Sequence, residues 1–246
     1  MTKEIFQVIS LIISLGLSFV NDGNYQPEQK LALEEINWEA YQHVMTEEEY
    51  LALQEYLPVL TNESTFIHTN EYLYNYDDSE DLLYYDAGHD PRNATTISEY
   101  RNNLYSEWGE EASSLPINVR GVALCDIDGD ETYEMILYIS FLGGHFVIFD
   151  QENGTVYGAD KFYRTFEQLQ TNGVYVGSGG VGNEYYYQYH FVDTHFTGTY
   201  LGHTERDDEH QKLLYYIGDK QVDQETFEAW MPSIMVGDVE FYKPSR

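Results

Sequence analysis

Val122-Ala-Leu-Cys-Asp126-Ile-Asp128-Gly-Asp130-Glu-Thr132-Tyr-Glu134-Met-Ile-Leu137 reads as two apolar strands joined by a loop with carboxylates at loop positions 1, 3, 5 and 9. A hard divalent cation takes six to eight oxygens at about 2.3–2.6 Å, and a tight turn with alternating aspartates points several side chains inward. The spacing therefore predicts a calcium site with Asp126, Asp128, Asp130 and Glu134 as side-chain ligands and the backbone carbonyl of Thr132 as a fifth group. The plainer alternative is an acidic β-turn, since Asp and Gly are ordinary turn formers. Against it stands charge: four carboxylates converging in nine residues repel one another unless a cation lies between them. Working outward, the strand–loop–strand context points to an antiparallel sheet.

The same stretch resembles the D-x-D-G-D-G-x-x-E loops of FG-GAP and VCBS-type calcium-binding repeats. It is similar above all to the single-copy form found in secreted or lipid-anchored proteins of Gram-positive bacteria. The resemblance spans roughly residues 115–160, with an echo at Tyr215-Tyr-Ile-Gly-Asp-Lys-Gln-Val222 near the end of the chain. It implies the ligand set just named, a structural calcium and an extracellular or cell-envelope location. Two departures stand out. Glu131 occupies loop position 6, where the family has Gly and a sharp turn favours it. The loop also occurs once, whereas propeller folds need repeats.

The chain of 246 residues carries 43 Asp and Glu against 12 Lys and Arg, a formal charge of -31. Such a surface repels nucleic-acid phosphate and anionic membranes, leaving cations, neutral glycans and basic proteins as partners. A hydrophobic fraction of 42% and an aromatic fraction of 16% predict a globular chain. Residues 1–20, with an apolar run from Ile5 to Val20 that carries Gly16-Leu-Ser18, read as a signal peptide or an N-terminal anchor. No other segment is apolar enough to cross a membrane. Cys125 is the only cysteine, so no internal disulfide forms, and its place on an apolar strand reads as core.

Residues 21–114 read as a helical N-terminal region. The pattern predicts one helix from about Gln26 to Gln42 and a second behind the Thr46–Glu49 capping box, stopped by Pro58. An acidic, tyrosine-rich surface loop follows over about 70–93, then a third helix behind Thr96–Glu99 that carries Ile97, Tyr100, Leu104 and Trp108. Residues 115–246 read as a β-rich domain holding the calcium-type loop, with hairpin turns at Asn153-Gly154, Asn172-Gly173 and Gly218-Asp219. A short C-terminal helix carries Phe227 and Trp230. The expected fold class is α+β: an antiparallel sheet with a small N-terminal helical part and a short C-terminal helix.

Nothing outside the loop specifies a reaction. Gly177-Ser-Gly179-Gly-Val-Gly182 matches a nucleotide-binding pattern but runs into Asn-Glu-Tyr-Tyr-Tyr, a strand, and reads as a glycine hairpin. His190, His195, His203 and His210 lack the spacing of a helical zinc motif. The clustered tyrosines, Tyr185–Tyr187 among them, suit either sheet packing or stacking on a ligand. The reading is therefore a secreted, non-catalytic protein that is stabilised by one calcium and acts by binding a glycan or protein. An acidic decoy or immunity-type protein for a basic partner is the second reading, and a glycan-active hydrolase the third.

Overall fold

The computed structural model describes residues 31–69, 72–73, 94–106, 118–140, 145–162, 166–180, 182–192, 194–207, 209–210 and 212–245. The predicted leader, most of the acidic loop, Trp108 and Gly109 lie outside these. Strand β1 (Leu31–Ala32) is followed by two 3-10 turns, Leu33–Glu35 and Trp38–His43, and by helix α1 (Glu47–Leu60). Then come β2 (Phe66–His68), β3 (Tyr72–Leu73), β4 (Ala94–Thr95) and α2 (Ile97–Ser106). The β-rich part runs β5 (Asn118–Cys125), β6 (Glu134–Ile139), β7 (His145–Glu152), β8 (Thr155–Phe162), β9 (Val174–Gly180), β10 (Asn183–Val192), β11 (His195–Asp207), β12 (Lys212–Ile217) and β13 (Lys220–Val222), and α3 (Gln224–Ile234) follows.

The α+β class stands, but the strands form two sheets rather than one. The first has seven strands in the order β1-β5-β6-β7-β8-β2-β4. The second has the order β13-β12-β11-β10-β9, with β3 beside β11. Both are mixed, because β2 runs parallel to β8 and β3 parallel to β11. Side-chain alternation assigns the faces. In the first sheet Val122, Leu124, Met135, Leu137, Val147 and Phe149 face the N-terminal helices, where they pack with Leu53, Tyr56, Ile97 and Tyr100. Their neighbours Ala123, Ile136, Phe146 and Ile148 face the second sheet and meet Tyr175, Tyr189 and Phe196. The outer face of the second sheet, with Val176 and Tyr186, is covered by Phe227 and Trp230 of α3. The layers are thus helices, sheet, sheet, helix.

Both capping boxes form. Glu49 N–H donates to Thr46 Oγ1 at 3.2 Å while the Glu49 carboxylate accepts from Thr46 N–H at 2.7 Å. At α2 the reciprocal distances are 3.2 and 2.9 Å between Thr96 and Glu99. Two helical expectations need correction. The described part of the predicted helix from Gln26 to Gln42 is a short strand and 3-10 turns, because Leu31 pairs with Val119 at the sheet edge and tertiary pairing overrides a weak helical preference. Nor does Pro58 stop α1, which continues to Leu60; likewise α3 runs past Pro232 to Ile234. In each case the residue four before the proline, Gln54 or Glu228, is exposed, so water can solvate the carbonyl that loses its partner.

Among the described residues the tyrosines serve mainly as core. Tyr41, Tyr56, Tyr175, Tyr186 and Tyr189 are buried, and Phe166 and Tyr175 sit 4.8 Å apart between the sheets. Gly177–Gly180 form the end of β9, which pairs antiparallel with β10 from Asn183, as the hairpin reading expects. Asn153 and Gly154 both have positive φ, 52° and 78°, which fits a primed two-residue hairpin.

Candidate metal centre

The acidic loop leaves β5 after Cys125 and returns as β6 at Glu134, at the end of the first sheet. Its own backbone shapes it. Asp126 Oδ1 accepts from the N–H groups of Gly129 (2.7 Å) and Asp130 (3.2 Å), and Oδ2 accepts from Glu131 N–H (3.2 Å). Asp128 Oδ1 accepts from Asp130 N–H at 3.2 Å, and Asp130 Oδ1 from Thr132 N–H at 2.7 Å. These contacts turn the carboxylates inward and satisfy donors that a tight turn would otherwise leave free. Three anchors hold the loop to the body. Asp128 Oδ2 accepts from Phe191 N–H of β10 at 3.1 Å, which ties the loop to the second sheet. Ile127 is buried between the sheets. Tyr56 of α1 donates to the Tyr133 carbonyl at 2.6 Å.

Two acidic groups result, and they share Asp128. Asp126, Asp128 and Asp130 each offer an oxygen within 4.8 Å of the others, and this group could hold a metal ion. Asp128, Glu134 and Asp150 form the second group by the same measure. The structure thus brings together the first three predicted ligands and sets Glu134 behind them, in a triad completed by Asp150 of β7. The Thr132 hydroxyl and N–H both turn to Asp130. Asp150 was not among the predicted ligands, although a signal for it exists: alternation places it on the same face as Phe146 and Ile148, so an acid occupies a core-facing position.

Electrostatics separate the two groups. Glu134 is completely buried and Asp150 is 1% exposed. Burial pushes the Glu134 carboxyl up to about 9, helped by the charges of Asp150, Asp128 and Asp130 and opposed by the hydrogen bond from Ile127 N–H. Burial likewise raises Asp150 to about 7, with Asp128, Asp130 and Glu152 adding repulsion. Asp128 is raised as well, first by burial and then by its acidic neighbours, while N–H donors from Phe191 and Asp130 pull the other way. Among the described residues no histidine or cysteine joins either group. Oxygen-only ligands suit calcium, magnesium or manganese rather than zinc or copper.

Glu131, at loop position 6, has φ 75°, the left-handed conformation that glycine adopts without steric cost. Its side chain is exposed, so removing it uncovers no core. Glu131→Gly is expected to raise unfolding stability by about 0.5–1 kcal/mol, the relief of left-handed strain outweighing the added chain entropy. Urea denaturation checks the direction; a loss of stability would mean that the loop is not strained there. No protein-family model, no curated protein and no solved structure matches this chain.

Proposed function

We propose that this is a secreted cell-envelope protein in which calcium, bound by the Asp126–Glu134 loop, has a structural role, and which acts by binding a glycan or protein. The resemblance to FG-GAP and VCBS-type loops supports the ion and the location. The observation that carries the reading is the convergence of Asp126, Asp128 and Asp130 on a loop hung between two sheets and tied across them through Phe191. An ion there would fix the shape of a loop that is itself tied to β10 through the Asp128–Phe191 hydrogen bond, which is the work of a structural metal. Catalysis by the inner carboxylates is disfavoured on access. A glycoside-cleaving pair needs carboxyls about 5–9.5 Å apart around a substrate, whereas Glu134 and Asp150 are closed off in the core.

The acidic-decoy reading draws on the charge of -31 and electrostatic steering. Location separates the two, since a processed chain found outside the cell contradicts a cytosolic decoy. The calcium reading is tested by melting. By linkage, an ion that binds only the native state adds about 0.4–1.4 kcal/mol when its free concentration is one to ten times Kd. Asp128→Ala is expected to lose that increment in millimolar calcium and to differ less from the wild type in excess chelator. Equal destabilisation under both conditions would reduce the loop to a turn.

A further inference from the structure

We propose that Asp128, Glu134 and Asp150 form a second, buried cation subsite between the two sheets, taking a calcium ion separate from the one held by the loop aspartates. The inference rests on the calcium reading of the loop and adds a ligand that the loop pattern does not contain. An acidic triad would not carry it unaided. The additional observation is that Glu134 is completely buried, one carboxylate oxygen accepting from Ile127 N–H at 2.6 Å and the other, Oε1, having no hydrogen-bond partner among the described residues. A buried carboxylate oxygen without a donor is costly. A cation satisfies it directly.

Tyr189, across the gap on β10, extends the argument. Its ring is buried in the same inter-sheet core as Ile127 and Ile148, and its hydroxyl likewise has no hydrogen-bond partner among the described residues. The gap between the sheets thus holds a second polar atom that a polar occupant would satisfy. Charge count favours two ions over one. Asp126, Asp128, Asp130, Glu134 and Asp150 together carry five formal negative charges; one divalent ion leaves three and two leave one. Asp128 has an oxygen for each side, since Oδ1 faces the loop N–H of Asp130 and Oδ2 the N–H of Phe191. The inner ion would bind β6, β7 and the loop together, with water filling the coordination that three carboxylates leave open.

The test is calcium anomalous scattering from crystals of the full chain grown with calcium chloride, for the wild type, Asp150→Asn and Asp126→Asn. Two peaks are expected in the wild type, the inner one within coordination distance of Asp128, Glu134 and Asp150. Asp150→Asn is expected to lose the inner peak and keep the outer, and Asp126→Asn the reverse. A single peak at Asp126, Asp128 and Asp130 in the wild type, or an inner peak that persists in Asp150→Asn, overturns this proposal and leaves the loop reading intact. An inner peak without an outer one overturns the loop reading instead. No peak at either place overturns both. The wild-type map decides the matter without any variant, so a variant that fails to fold does not protect the idea.

Discussion

Gly173→Ala is expected to cost at least about 3 kcal/mol of stability and to abolish the calcium response with it. Gly173 has φ +75°, and a Cβ built there would lie 2.0 Å from the Ile127 carbonyl oxygen and 3.3 Å from that of Tyr189. Both obstacles are backbone, so no rotamer change relieves them. Gly173 itself is pinned, its N–H donating to the Gln170 carbonyl and its own carbonyl accepting from Tyr189 N–H, each at 2.9 Å. The other way out is to push Ile127 away. Ile127 stands between Asp126 and Asp128, so the displacement passes directly into the candidate ligands. Gly154→Ala is the matched control: φ is +78° but no atom of the described residues lies within 4 Å of the added carbon. It should cost only the left-handed penalty of about 1–2 kcal/mol and leave the calcium response unchanged. Urea denaturation with and without calcium measures both, and equal losses in the two variants would refute the role given to the Ile127 contact.

That contact illustrates what the sequence could and could not convey. The hairpin around the acidic loop was legible because its strands are apolar runs of strand length with Asp and Gly between them, and both capping boxes because their signal is local. Long-range facts were hidden. Nothing in Asn172-Gly173 announces that the turn abuts Ile127, some 45 residues earlier, and nothing in Phe66-Ile-His68 announces parallel pairing with β8. The stacking of a second sheet on the first was partly visible in hindsight. Both Met135, Leu137 and Ile139 and their neighbour Ile136 are apolar, the mark of a sheet buried on both faces. That same property makes Glu134 and Asp150 conspicuous: on a sheet with no solvent face, an acid between apolar neighbours is either at an edge or has a partner. Reading the loop by its internal spacing found Asp128 and Glu134 but could not reach Asp150, which approaches through the fold rather than along the chain.

In excess chelator, stability is expected to fall as pH rises from about 4 to 9, whereas the stabilisation added by calcium is expected to grow over the same interval. The sign follows from the direction of the shifts. Glu134 and Asp150 titrate in the folded protein at about 9 and about 7, above the ordinary carboxyl values of 4.5 and 3.8 that they take once unfolded. Between those limits the folded state binds more protons than the unfolded state, so each rise in pH favours unfolding. Their contribution is therefore fully present below about 4, and is lost through about 7 for Asp150 and about 9 for Glu134. Most paired surface carboxylates behave oppositely and stabilise as pH rises. Calcium would reverse the account by binding the ionised carboxylates, replacing mutual repulsion and desolvation with coordination, so that deprotonation, which harms the metal-free protein, would create the site. Melting temperatures at pH 5, 7 and 9, each with chelator and with millimolar calcium, should diverge steadily with pH. Asp150→Asn removes one of the two titrating groups and should flatten the chelator profile between pH 5 and 7. A chelator profile that rises toward pH 9 would show that Glu134 and Asp150 are ionised at little cost in the metal-free fold, and the reason for placing a cation beside them would disappear.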